Sequence, residues 1–153
     1  FPIREYYEEK GMFENEVYPG IKELLRVLTK QGILCLVATS KPEIYAKKIL
    51  DYYELSNYFY YIAGANMDGT RTDKAEVIAY ALKQIPAEYN NKKVLMVGDR
   101  SHDIIGAKKN GIDCAGVLFG YGSREELEEA GADFVADSVE AVRNIVFLNA
   151  AKN

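Results

Sequence analysis

Lys92-Lys93-Val94-Leu95-Met96-Val97-Gly98-Asp99-Arg100-Ser101-His102-Asp103 decides how this chain is read. Its first half is a short apolar run between charge and glycine, the pattern of a buried strand. Its second half places two carboxylates, Asp99 and Asp103, where strand gives way to helix. In an open parallel sheet the carboxyl ends of the strands line the ligand crevice. Two acids there suit a hard cation such as Mg2+, which takes oxygen ligands and bridges to phosphate. They equally suit a helix start, with Asp99 as cap and Asp103 in the first turn. The stretch by itself leaves both readings open.

Outward from this stretch, strands and helices alternate along the whole chain. Towards the N-terminus, Asp73 or Thr72 caps a helix over residues 74–84, whose Val77, Ile78, Ala81, Leu82 and Ile85 form one apolar face. A short strand spans 60–63, and a helix spans 43–53. Before it, Ile33 to Ala38 is a continuous apolar run, expected as a strand buried on both faces. Ile21, Leu24, Leu25 and Leu28 mark the inner face of a helix for which Pro19 suits the first position. Residues 4–10 read as a helix already under way, stopped by Gly11. Towards the C-terminus come a helix ending at Asn110-Gly111, a strand over 113–119 and the turn Gly120-Tyr121-Gly122. Ser123-x-x-Glu126 is a capping-box pattern. A brief strand over 133–135 and a helix over 138–148 close the chain. This alternation predicts an α/β fold, a doubly wound parallel sheet with right-handed crossovers.

Composition narrows the function classes. Lys and Arg number 19 against 23 Asp and Glu, a net charge of −4, which argues against a nucleic-acid partner. No apolar run approaches the ~20 residues of a spanning helix, so no membrane partner is expected. Without a basic leader or a cysteine framework, the expected location is cytoplasmic, with Cys35 and Cys114 as buried free thiols.

Two further residues join the acid pair. Thr39 ends the 33–38 strand, so its hydroxyl faces the crevice, and Ser40 and Lys41 follow at a helix N-terminus, a natural anion site. Lys74 stands in the first turn of a helix, against the helix dipole, where a phosphate oxygen gives it a reason to be.

A strand-end hydroxyl, a lysine at a later helix start and Gly-Asp-x-x-x-Asp after a third strand, in this order, resemble the haloacid dehalogenase (HAD)-like hydrolase superfamily. The matching blocks are Leu36-Val37-Ala38-Thr39, Lys74 and Gly98 to Asp103. Tyr18-Pro19-Gly20-Ile21, Ala38-Thr39-Ser40-Lys41-Pro42 and Asp68-Gly69-Thr70-Arg71 look like its phosphoglycolate-phosphatase-like branch. The resemblance implies Mg2+-dependent hydrolysis of a small phosphorylated metabolite, phosphoglycolate-like or a nucleotide, through an aspartyl phosphate. It gives Thr39 and Ser40 to the phosphoryl oxygens, Lys74 to nucleophile and phosphate, and Asp99 to Mg2+. Asp103 supports the metal shell or orients Lys74. The alternative is a catalytically inactive HAD-like domain that works by association.

One motif of that pattern is not in these residues: the strand ending in Asp-x-Asp-Gly-Thr that carries the nucleophile. Asn66-Met67-Asp68-Gly69-Thr70 imitates it, but an amide stands at the nucleophile's place and no apolar strand precedes it. It is expected to be a turn. The expected organisation is therefore the end of a helical cap over 1–17 and a HAD-like core over 18–153. That core lacks its first central strand and most of the cap. The strand would lie between those ending at Thr39 and Asp99. The chain alone is then expected to be inactive, its gap filled by a complementing N-terminal segment or by a homodimer partner.

Overall fold

The computed structural model describes residues 19–150. The predicted cap residues 1–17 lie outside them. In chain order the elements are α1 (Ile21–Lys30), β1 (Leu36–Pro42), α2 (Glu43–Tyr52), β2 (Tyr61–Ala65), α3 (Lys74–Lys83), β3 (Leu95–Gly98), α4 (Ser101–Lys109), β4 (Asp113–Val117), α5 (Arg124–Ala130), β5 (Phe134–Ala136) and α6 (Val139–Ala150). All strand pairings are parallel: β1 with β2, β3 with β4, and β4 with β5. The predicted α/β alternation is present throughout.

The boundaries differ from the sequence reading in instructive ways. Helix α1 starts at Ile21 rather than Pro19, because Gly20 has φ +90° and the helix can only begin beyond it. Strand β1 starts at Leu36 and runs on through Thr39 to Pro42. Its register with β2 breaks between Ala38 and Pro42. Where it resumes, Gly64 is indispensable: a Cβ there would stand 2.6 Å from the Glu43 Cα.

Helices cover both faces of the strands. Ile21 and Leu25 of α1 pack with Val37, Ala46, Leu50 and Ile62 around β1 and β2. Leu24 and Leu28, on the same helix, pack with Val117, Ala136 and Val142 beside the other sheet. One helix thus bridges the two sheets. On the opposite face, α3 packs Val77 and Ala81 against Ala63, and α4 and α5 pack Ile104, Ala107 and Leu127 against Cys114. Helices α3 and α4 approach closely, since a Cβ on Gly106 would come within 3.0 Å of Ile78.

Between the sheets lies a gap. Among the described residues the strands form two sheets, ordered β1-β2 and β3-β4-β5, with no ladder joining β1 to β3. An apolar cleft of about 430 Å³ separates them, with Leu36, Ala38, Leu95 and Val97 on its sides and Leu28 and Leu82 above and below. Only one residue of β1, Val37, is fully buried. The expectation of a doubly covered strand is met at its faces but not at its edge, because that edge looks into the cleft.

Candidate functional site

The carboxyl-terminal part of β1 and the residues just after β3 meet at one pocket of about 330 Å³, which Thr39 and Asp99 both line. Thr39, Ser40, Lys74, Asp99 and Asp103, the five residues singled out in the sequence, all line it. Arg100, His102 and Tyr121 join them.

Lys74 reaches the pocket because Asp73 caps α3, its carboxylate accepting from the Ala75 N–H at 3.2 Å. The loop before it is the predicted turn. Asp68 Oδ1 accepts from the Thr70 N–H at 3.0 Å and its hydroxyl at 2.8 Å, and Gly69 has φ +89°. Arg71 fastens this loop, donating from Nε to the Gly64 carbonyl at 2.8 Å and stacking over Tyr80 at 3.7 Å. Asp68 therefore spends its carboxylate on its own turn.

Lys74 is buried, not a surface lysine. Its ammonium stands 2.8 Å from Asp103 Oδ1, and Asp103 is only 2% exposed. Burial alone raises the Asp103 pKa; the Lys74 ammonium beside it works the other way, and the carboxyl lies below its ordinary range. Asp103 Oδ2 accepts from the backbone N–H groups of Asp99 and Arg100 at 3.0 and 3.1 Å. The helix-cap reading is thus inverted: Asp103 caps α4 and Asp99 does not. Asp99 turns away, and its Oδ2 accepts from the Tyr121 N–H at 2.9 Å.

Gly98 makes this packing possible, since a Cβ on it would lie 2.4 Å from the Asp103 Cβ. Gly98→Ala must push α4 outward. We expect it to cost about 1–3 kcal/mol, as overpacking does, in urea unfolding.

Across the pocket, Thr39 Oγ1 accepts from the Lys41 N–H at 3.2 Å. Its own proton remains to be donated. The N-terminal residue before α2 is Pro42, and no side chain caps that helix, whereas the start of α4 is already filled by protein carboxylates. Neither thiol competes as a nucleophile: burial pushes Cys35 up to about 11 and also raises Cys114.

Two carboxylates stand at the pocket. Asp103 Oδ1 is buried and accepts no well-aligned hydrogen bond; it faces Lys74 Nζ at 2.8 Å and His102 Nε2 at 3.8 Å. Asp99 keeps one oxygen beyond its bond to Tyr121. These donors fit a hard cation as half of a coordination shell. Among the described residues no group of three His, Cys, Asp or Glu side chains converges on a metal position.

The sequence profile of the haloacid dehalogenase-like hydrolases matches residues 1–117. The chain belongs to this family. A solved structure of a predicted phosphatase from Clostridium acetobutylicum superposes with a TM-score of 0.85 at 42% identity, covering 94% of this chain and 65% of that one. A 5'-nucleotidase of Pseudomonas aeruginosa is 39% identical over 94% of the chain and 64% of its own length. The tyrosine-protein kinase PtkA of Mycobacterium tuberculosis is 39% identical over 84% of the chain and 44% of its own length. A phosphoglycolate phosphatase of Vibrio vulnificus is 29% identical over 95% and 63%. The chain thus spans less than two thirds of each of these curated relatives. Among its described residues no helix is long and apolar enough to cross a membrane.

Sequence reasoning did not single out Arg100, Tyr121 or Glu126 for the site. Tyr121 takes part through its backbone, which no side-chain pattern announces. Glu126 was visible as the end of Ser123-x-x-Glu126. Ser123 does accept from the Glu126 N–H at 3.1 Å, but the Glu126 carboxylate reaches α4 instead of returning to Ser123.

Proposed function

We propose that this chain forms the phosphate-binding half of a Mg2+-dependent phosphatase. Its substrate is a small phosphate monoester, phosphoglycolate-like or a nucleotide. The observation that carries this reading is the buried Lys74–Asp103 pair beside Asp99, in one pocket with Thr39. In the proposed reaction an aspartate carboxylate outside this chain attacks phosphorus and the bond to the leaving alkoxide breaks. Water then hydrolyses the aspartyl phosphate. Thr39 donates its hydroxyl proton to one phosphoryl oxygen, and Ser40 and the α2 start offer further donors. The Lys74 ammonium neutralises charge on the transferred group, held in place by Asp103. Asp99 would hold Mg2+ with its spare oxygen, backed by Asp103. Bound there, the cation would supply Lewis-acid stabilisation of the phosphoryl charge.

The nucleophile belongs on a strand seated between β1 and β3, supplied by a complementing N-terminal segment or by a second copy of the chain. Both banks of the cleft are strand edges, its walls are apolar, and its carboxyl end opens on Lys74 and Thr39. Such a strand, ending in an aspartate, would complete both the sheet and the acid cluster.

Asp99→Asn tests the role of the carboxylate. The amide oxygen can still accept from the Tyr121 N–H, so the melting temperature should hold. Turnover of para-nitrophenyl phosphate by the protein from its whole open reading frame should fall on the order of 100-fold, since Lewis-acid stabilisation is worth several kcal/mol. Unchanged turnover would remove Asp99 from the mechanism.

A further inference from the structure

Glu126 lies on α5, 25 residues from the helix whose start it touches. Its Oε2 accepts from the Ser101 N–H at 2.7 Å and from Arg100 Nε at 2.8 Å. Both donors lie immediately after Asp99. The segment between β4 and α5 also runs against Asp99. A Cβ on Gly120 would stand 2.3 Å from the Asp99 Cβ, and one on Gly122 would stand 2.2 Å from the Asp99 carbonyl oxygen. Tyr121, between these glycines, donates its N–H to Asp99 Oδ2. Ser123 then fixes the start of α5 through the Glu126 N–H.

These contacts form a closed circuit: Asp99 to Tyr121, Tyr121 through Ser123 to Glu126, and Glu126 back to Ser101 and Arg100. We infer that Glu126 is a positioning residue, fastening the Gly120–Ser123 strap across the start of α4 so that one Asp99 carboxylate oxygen is held towards the pocket. This inference rests on the reading of Asp99 as the cation's ligand.

The chemistry of the contact suits that task. The hydrogen bonds from Arg100 and the Ser101 N–H hold the Glu126 carboxyl below its ordinary range, so it stays charged at neutral pH. The ion pair with Arg100 is partly exposed, at 46% and 28% of the two side chains, and water weakens it. The bond to the Ser101 N–H is different. It is charge-assisted, backbone-directed and insensitive to the rotamer of a long cation. It ties α5, which packs on α4 through Leu127, to the α4 start. Loss of Glu126 removes that tie and leaves the Tyr121 N–H as the strap's hydrogen bond to Asp99, so Asp99 loses its fixed aim.

The test uses the protein from its whole open reading frame with Mn2+ as the probe. Binding is followed by the electron paramagnetic resonance signal of free Mn2+, and folding by thermal melting. Glu126→Ala should weaken Mn2+ binding about tenfold or more, as loss of outer-shell partners does. Glu126→Gln keeps an oxygen acceptor for Ser101 and should recover most of the affinity. Glu128→Ala, which removes only the pairing with Arg124 on α5, should bind like the parent. Asp99→Asn should abolish the binding. If Glu126→Ala melts as a folded protein and binds Mn2+ like the parent, while Asp99→Asn does not bind, the positioning role is wrong and the cation site stands. If Asp99→Asn binds unchanged, or the parent does not bind at all, the cation reading fails and takes the inference with it. If Glu128→Ala weakens binding as much as Glu126→Ala, the effect belongs to α5 in general and the specific role of Glu126 is refuted.

Discussion

Replacing Lys74 by methionine is expected to destabilise the fold by about 3–5 kcal/mol, the cost of removing one partner from a buried ion pair. Methionine matches the length of the stem, so packing changes little and the loss is electrostatic. Asp103 is left 2% exposed, with two backbone donors on Oδ2 and only His102 Nε2, 3.8 Å away, near Oδ1. Urea unfolding at pH 7 measures the effect. Lys74→Met combined with Asp103→Asn should recover part of it, because the amide keeps an acceptor for the α4 start and buries no charge. A loss in Lys74→Met below about 1 kcal/mol, the range of exposed pairs, would mean that water reaches the pair.

The same pair sets a pH dependence. The Asp103 carboxyl, beside the Lys74 ammonium, is held below its ordinary range in the fold. A carboxyl depressed by folding contributes stability above its unfolded pKa and loses it as pH falls through the folded one. That contribution is present at neutral pH and should fade as pH falls below about 4. In Asp103→Asn that part of the acid transition should be missing.

Seating a strand in the cleft between β1 and β3 should produce an effect of similar size. Among the described residues no strand ladder covers the cleft-facing edges of β1 and β3. An inserted apolar strand pairs with both edges and buries side chains worth about 1.5–3 kcal/mol each, against the entropy of ordering its backbone. The net gain should be on the order of 5 kcal/mol, which is large against the stability of a domain. Hydrogen exchange locates it. Alternate amides of β1 and β3 point at the cleft. They should exchange quickly in residues 1–153 alone and slowly in the protein from the whole open reading frame, while those facing β2 and β4 should be protected in both. Equal protection of both sets in residues 1–153 would mean that the cleft is closed by other means.

Much of this was legible in the sequence, and the residues show why. The apolar periodicity of α1 and α3 and the strand runs before Thr39 and Asp99 are local signals, and the fold follows them. The order Thr39, Lys74, Asp99, Asp103 was legible because each follows a strand or opens a helix in the α/β alternation, and one pocket gathers them. Which of the two aspartates caps α4 was not. It depends on Gly98 being small enough for Asp103 to turn back over it, and on Tyr121 reaching Asp99 from 22 residues away. The burial of Lys74 was hidden for the same reason, since its partner lies on α4. Glu126 was legible only as a cap, because a capping box describes local bonds and its carboxylate makes distant ones.

The most direct test of the account is a turnover assay with para-nitrophenyl phosphate and Mg2+. It compares residues 1–153 as a verified monomer with the protein from the whole open reading frame. The account predicts no turnover by the monomeric 1–153 chain. It predicts turnover by the whole protein that disappears when the aspartate ending the added strand is replaced by asparagine. Mg2+-dependent turnover by monomeric 1–153, lost in Asp99→Asn, would contradict it: the nucleophile would then lie within these residues.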